Sequence, residues 1–135
     1  MEFSFLTAHK IVFKQGAIHE LVSHVGELGS NFLLVVDPFF KTSPVMESVK
    51  QQLADAGKRF TVYAEVAGEP TVEQVDEVAE LAVKAGCDAV ISIGGGSNID
   101  VGKSVAALIT NGTPAIDYMG VVGKGKKVTV GPVPF

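Results

Sequence analysis

Apolar residues along this chain follow two rhythms, and the places where one gives way to the other mark the elements. Phe3 and Phe5 alternate with polar neighbours, and Ile11, Val12 and Phe13 follow a polar break; this predicts two short N-terminal strands. Ile18, Leu21, Val22, Val25 and Leu28 then recur at helical spacing, and Gly29 supplies the stop. Residues 32–36, Phe-Leu-Leu-Val-Val, are apolar without interruption, as expected of a strand buried on both faces of a parallel sheet. Asp37-Pro38 ends that run. Ser43 with Pro44 behind it reads as a helix cap and first turn, with Val45, Val49 and Leu53 on the inner face and Gly57 at the close. Residues 60–64 predict another strand. Thr71 and Gln74 stand at capping-box spacing ahead of Val72, Val75, Val78, Ala79 and Ala82, and Gly86 ends that helix. Residues 89–93 form a further buried strand, Gly94 to Ser97 a turn, and residues 98–109 a helix. Beyond Thr110-Asn111-Gly112 the pattern becomes irregular; residues 128–130 are strand-like, and Val133-Pro134-Phe135 reads as a strand beginning.

Strand and helix alternate through the middle of the chain with short connections, so each crossover is expected to be a right-handed βαβ unit. The fold class is therefore α/β: a doubly wound, mainly parallel sheet with an N-terminal strand pair. A length of 135 residues fits one domain, residues 1–135. The abrupt end points to a piece of a longer protein. Glycine clusters at segment ends, which is punctuation of a fold and not low complexity.

Charge and cysteine usage exclude several classes. The net charge is −4, and the one basic cluster, Lys124, Lys126 and Lys127, is too small to argue for nucleic acid. No apolar run is long enough to span a membrane, and the N-terminus lacks the pattern of a signal peptide, so a cytoplasmic location is the default expectation. Cys87 is alone and stands just before a buried strand, where a small residue packs; it offers neither a disulfide framework nor a cysteine zinc site.

The turn Gly94-Gly95-Gly96-Ser97 carries the strongest chemical signal. Glycines there let a ligand approach the backbone, and the helix that follows presents unpaired N–H groups and the positive end of its dipole to an anion. Its place at the carboxyl end of a parallel strand is where such folds bind ligands. A tight strand-to-helix turn would also use these residues. Ser97 and Asp100 are spaced almost as a capping box, which does not exclude ligand contact: Ser97 can donate to a phosphate, whereas Asp100 suits a ribose or an amide better. Lys103 lies one turn on and either pairs with Asp100 or serves the ligand. Asp37, at the end of its strand, can accept from a ribose 2′-hydroxyl and would repel a 2′-phosphate, favouring NAD over NADP; Asp-Pro is equally a turn start. This acid precedes the glycine turn, so the usual dinucleotide fingerprint is absent and a different cofactor layout is required. His9, His19 and His24 are poorly spaced for a metal. No nucleophile–His–acid arrangement is evident, and the residues alone indicate binding without catalytic machinery.

The segment Ala89-Val-Ile-Ser-Ile-Gly-Gly-Gly-Ser-Asn-Ile-Asp-Val-Gly-Lys103 closely resembles the iron-containing alcohol dehydrogenase family (the group III dehydrogenases), whose Gly-Gly-Gly-Ser-x-x-Asp-x-x-Lys pattern is highly characteristic. Residues 10–16, Leu34-Val-Val-Asp37-Pro38, Gly68-Glu-Pro-Thr71 and Asp117-Tyr-Met-Gly120 agree with it, so the likeness runs through the whole chain. It implies a Rossmann-like N-terminal domain that binds NAD(P), followed by a helical domain, absent from this chain, that holds iron or zinc. It also implies hydride transfer between the nicotinamide and a small alcohol, aldehyde or ketone. By the resemblance, Asp37 reads the adenine ribose, Gly94, Gly95, Gly96 and Ser97 hold the pyrophosphate, and Asp100 and Glu69 lie close to the cofactor. No position here matches a metal ligand. Pairing of N-terminal strands into a homodimer is implied too. Lys14 stands where glycine is common, and Gly102 replaces the usual alanine, which is expected to loosen the early helix. Ser97 favours this family over the glycerol dehydrogenases and dehydroquinate synthases. Two other readings stay open: a stand-alone nucleotide- or phosphate-binding module, and a structural piece that binds only with its other half.

Overall fold

The computed structural model describes residues 3–4, 8–66 and 68–135. Three parallel strands, β1 (Asn31–Val36), β2 (Arg59–Tyr63) and β3 (Ala89–Ile93), form a sheet in the order β2-β1-β3. Among the described residues four α-helices accompany it: α1 (Leu21–Val25), α2 (Pro44–Asp55), α3 (Val72–Ala85) and α4 (Gly96–Asn111). The fold is the expected doubly wound α/β arrangement.

β1 explains the layout. All six of its residues are buried. Leu33 and Val35 point into one core with Val75, Val78, Val101 and Val105 of α3 and α4. Phe32, Leu34 and Val36 point into a second core with Met46, Val49 and Leu53 of α2 and, at its margin, Leu21 and Val22 of α1. Burying each such side chain is worth about 1.5–3 kcal/mol, so a strand apolar on both faces demands helices on both sides. The chain supplies them by reversing direction. From β1 it crosses by α2 to β2 on one side, then by α3 back over β1 to β3 on the other. Right-handed crossovers run in opposite directions land on opposite faces.

The caps explain the helix starts. Ser43 Oγ accepts from Met46 N–H at 3.2 Å with Pro44 in the first turn. Met46 is buried and Val45 only half-buried, so the inner stripe of α2 is 46-49-53. Thr71 Oγ1 accepts from Gln74 N–H, but the Gln74 side chain does not return to complete the box. It reaches the Tyr63 hydroxyl at 3.4 Å and the Glu65 carbonyl at 3.2 Å, tying α3 to the end of β2. The backbone N–H of Glu73 and the Thr71 hydroxyl hold the Glu73 carboxyl below its ordinary range. Cys87 is buried beside α3, and burial pushes its thiol up.

Three expected elements do not form. No strand exists at residues 11–13, where Ile11 is 74% and Phe13 fully exposed; a hairpin without a third strand or a covering face is marginal in water. Its proposed partner at Phe5 lies outside the described residues. The helix expected from Ile18 to Leu28 is broken into a 3-10 turn, the five-residue α1 and a second 3-10 turn beginning at Gly26. Residues 128–130 do not join the sheet because Asn111 satisfies them: its Oδ1 accepts from Thr129 N–H and Val130 N–H, both at 3.0 Å, and its Nδ2 donates to Val130 O at 2.8 Å. The final residues do lie along β3, where Val90 N–H donates to Pro134 O at 2.8 Å. Among the described residues, no helix is long and apolar enough to cross a membrane.

At the amino end of the sheet, buried Asn31 donates from Nδ2 to the last carbonyl of α3, Ala85 O, at 2.7 Å and to that of its C-cap, Gly86 O, at 2.9 Å. Asp88 accepts from Ser30 N–H and Asn31 N–H. Asn31→Leu strips the buried end of α3 of its donors and should destabilise the fold by about 1–3 kcal/mol. Urea denaturation measures this, and an unchanged midpoint would contradict the assignment of a structural latch.

Candidate dinucleotide site

Residues expected to bind ligand converge where β1 and β3 leave the sheet. Val36 pairs with Ile93, so the next residues, Asp37 and Gly94, emerge side by side, and Asp37 N–H donates to Ile93 O at 2.8 Å. Because β2 lies on one side of β1 and β3 on the other, the connections depart in opposite directions and leave a crevice at this point, the usual ligand position in open α/β sheets. Asp37 is half-buried, and one carboxylate oxygen accepts from Phe39 N–H at 2.9 Å, capping the 3-10 turn Pro38–Phe40. It is thus a turn starter with one oxygen so engaged.

The three glycines divide the work. Gly94 has φ +150°, and a Cβ there would lie 2.8 Å from both Asn98 Oδ1 and Asp37 Cβ. Backbone strain and packing therefore require glycine at 94. Gly95 and Gly96 have nothing within 4 Å of an added Cβ, so this side of the turn is open. α4 begins at Gly96, two residues before the expected start, with Gly95 at its N-cap and no side chain capping it. Ser97 is consequently already helical, and the Ser97–Asp100 capping box does not form. The first intrahelical bond of the cap runs from Ile99 N–H to Gly95 O. The N-terminus of a 16-residue helix is left without a side-chain acceptor, a ready position for an anion.

Other expected residues sit elsewhere. Asp100 is exposed and, with Pro70, Thr71 and Ser104, lines an apolar cavity of about 360 Å³ between α3 and α4, roofed by Tyr118 and Met119. Glu69 is exposed in the loop that leads to this cavity. Lys103 is exposed, and among the described residues it forms no ion pair with Asp100. Two lysines of the basic cluster are used internally: Lys124 Nζ lies 2.9 Å from Asp117 Oδ1, and Lys126 Nζ lies 4.9 Å from the Tyr118 ring centre. His19 contacts Ser48 and His24 contacts Lys10, so they have separate partners. Among the described residues no group of three or more His, Cys, Asp or Glu is placed to hold a metal ion.

One residue the sequence reading passed over is central. Asn98 is 2% exposed and packs against Gly94, and its backbone carbonyl accepts from Ser92 Oγ at 3.0 Å. Its signal was present: Asn98, Val101, Val105 and Leu108 fall on one helical stripe, where a polar residue is conspicuous. Gly102 corrects a second expectation. A Cβ there would collide with Ser92 Oγ and approach the Phe135 ring at 2.7 Å, so this glycine brings α4 close to the sheet instead of loosening it.

Residues 8–135 match the family described as iron-containing alcohol dehydrogenase. The chain belongs to that family. It is 33% identical over 90% of its length to the sulfoacetaldehyde reductase of Bilophila wadsworthia, covering 32% of that protein. It is 30% identical over 87% of its length to the NAD-dependent methanol dehydrogenase of Bacillus methanolicus, covering 31% of it. Among solved structures, the NADH-dependent butanol dehydrogenase A of Thermotoga maritima superposes with a TM-score of 0.78 at 28% identity, over 86% of this chain and 30% of that one. The sulfoacetaldehyde reductase of Bifidobacterium kashiwanohense in complex with NAD+ gives 0.71 at 27% identity, over 90% and 32%. The chain thus spans about a third of the length of these relatives.

The glycine assignments separate by substitution. Gly94→Ala should cost about 1–3 kcal/mol of stability through strained φ and overpacking. Gly95→Ala should stay within about 0.5 kcal/mol, since the added methyl meets open space. Chemical denaturation of both variants decides it; equal losses would refute the division.

Proposed function

We propose that this chain is the cofactor-binding portion of a metal-dependent alcohol dehydrogenase that moves hydride between NAD and an alcohol or carbonyl substrate. The observation that carries this reading is the open, uncapped start of α4 at Gly95 and Gly96, beside Asp37 and at the reversal point of the sheet. The fit is chemical: unfilled N–H donors suit a pyrophosphate, and an acid one strand away suits a ribose diol. Relatives named for NAD dependence, or solved with NAD+, support the choice of ligand.

In this reading Gly95, Gly96 and Ser97 cradle the pyrophosphate, and Gly94 sets the turn. Asp37 accepts from the adenine ribose and repels a 2′-phosphate, which favours NAD. Asp100 and Glu69, near the cavity between α3 and α4, lie toward the nicotinamide end, and Lys103 adds positive charge along α4. Bound NAD supplies the acceptor or donor of hydride. Iron or zinc takes its ligands from a helical domain outside residues 1–135, and the substrate is a small alcohol, aldehyde or ketone. A cytoplasmic setting and a homodimer formed through the N-terminal segments complete the proposal; exposed Phe3, Ile11 and Phe13 are apolar surface for such a pairing.

Calorimetry should show NAD binding more tightly than NADP, with Asp37→Asn narrowing the gap by roughly tenfold, the equivalent of about 1.4 kcal/mol. Equal affinity of the unmutated chain for both dinucleotides would remove Asp37 from the site. Supplied with NAD, a primary alcohol and iron or zinc, the 135-residue chain should give no NADH above the protein-free control. Metal-dependent turnover would place the metal ligands on this chain and overturn that part of the proposal.

A further inference from the structure

Two buried side-chain atoms among the described residues have no hydrogen-bond partner, His24 Nε2 and Asn98 Nδ2. Only Asn98 lies at the crevice. It occupies the third position of α4, where the chain's start bends its side chain back under the turn, and its amide fills the space that a Cβ of Gly94 would need, next to Asp37. A buried NH₂ without an acceptor costs about 1–3 kcal/mol, a penalty that a stable core would remove by using an apolar residue. The neighbouring positions of the same stripe, Val101 and Val105, are apolar and fully buried. Asn98 therefore breaks the apolar pattern of its own helix, beside the ends of β1 and β3.

We propose that Asn98 is a dinucleotide-contacting residue whose Nδ2 donates to a phosphate oxygen of the bound cofactor. This rests on the dinucleotide reading above and adds a buried side-chain donor to the backbone N–H groups of the turn. Gly94 covers the amide on its Oδ1 side, and Gly95 and Gly96 carry no side chains to hinder the small shift of the turn that would bring Nδ2 to an oxyanion seated there. The arrangement holds an unsatisfied donor in the free protein and satisfies it on binding. Its removal accordingly weakens binding without weakening the ligand-free fold.

The test titrates the full chain and two variants, Asn98→Ala and Asn98→Asp, with ADP-ribose and with adenosine, and records ligand-free melting. ADP-ribose has a diphosphate diester whose charge is constant across about pH 5–8. The expected result is a loss of about 10- to 100-fold in ADP-ribose affinity for Asn98→Ala, the worth of a hydrogen bond to a charged group. Adenosine affinity and melting temperature should be unchanged. Asn98→Asp keeps the shape but puts a carboxylate beside phosphate. Its binding should be weakest at the alkaline end and recover as the pH falls and the carboxyl, raised by burial and by the phosphate, takes up a proton and donates again; the unmutated chain stays flat. That pH profile keeps the test decisive should the alanine variant not fold. Unmutated binding of ADP-ribose with no loss in either variant overturns the role of Asn98 and leaves the dinucleotide reading standing. Equal losses for adenosine and ADP-ribose together with lower melting reduce Asn98 to a packing residue. Failure of the unmutated chain to bind either NAD or ADP-ribose overturns the dinucleotide reading and this proposal with it.

Discussion

Everything in this fold follows from a central strand that must be hidden from water on both faces. Five consecutive apolar side chains in β1 point alternately into two cores, and neither core can be filled by the same helix. The chain meets that demand by winding outward once in each direction. Parallel pairing of β1 with β2 and with β3 brings all three carboxyl ends to one side, and the reversal leaves a gap between two of them. The crevice is thus a by-product of hydrophobic burial. No side chain needed to be selected to create it, only to furnish it.

The furnishing is economical. At Gly94 the absent side chain makes room for protein atoms; at Gly95 and Gly96 the absence leaves room for something else. The same word in the sequence, glycine, therefore has two physical meanings within three residues. Helix α4 begins at this point and is pressed against the sheet through Gly102 and the Ser92–Asn98 hydrogen bond, so its dipole is held at a fixed distance from the crevice. Position, and not unusual chemistry, makes the turn suited to an anion.

Much of this was legible in the residues. The uninterrupted run at 32–36, the Ser43-Pro44 start and the Gly86 stop each encode a local physical preference that the tertiary structure keeps. Asp37 and the glycines could be placed at strand ends for the same reason. What escaped was non-local. Whether residues 11–13 and 128–130 become strands depends on having a neighbour, and Asn111 took the hydrogen bonds that a neighbour would have made. The role of Gly102 depends on Phe135, far away in sequence. Asn98 was missed although its helical phase announced it, because a polar residue beside a glycine motif reads as part of the loop until the helix is seen to start at Gly96. Membership of the iron-containing alcohol dehydrogenase family was readable from the Gly-Gly-Gly-Ser-x-x-Asp-x-x-Lys segment, which is the same crevice written as a string.

The polar latch of Asn31 and Asp88 sits at the amino ends of the strands, a full strand length from Asp37 and Gly94. This latch ties α3 to the sheet at the pole opposite the crevice. Substitutions at the crevice that leave Gly94 in place therefore leave this latch untouched. Change at the crevice and preservation of the opposite end of the scaffold thereby become largely separable problems.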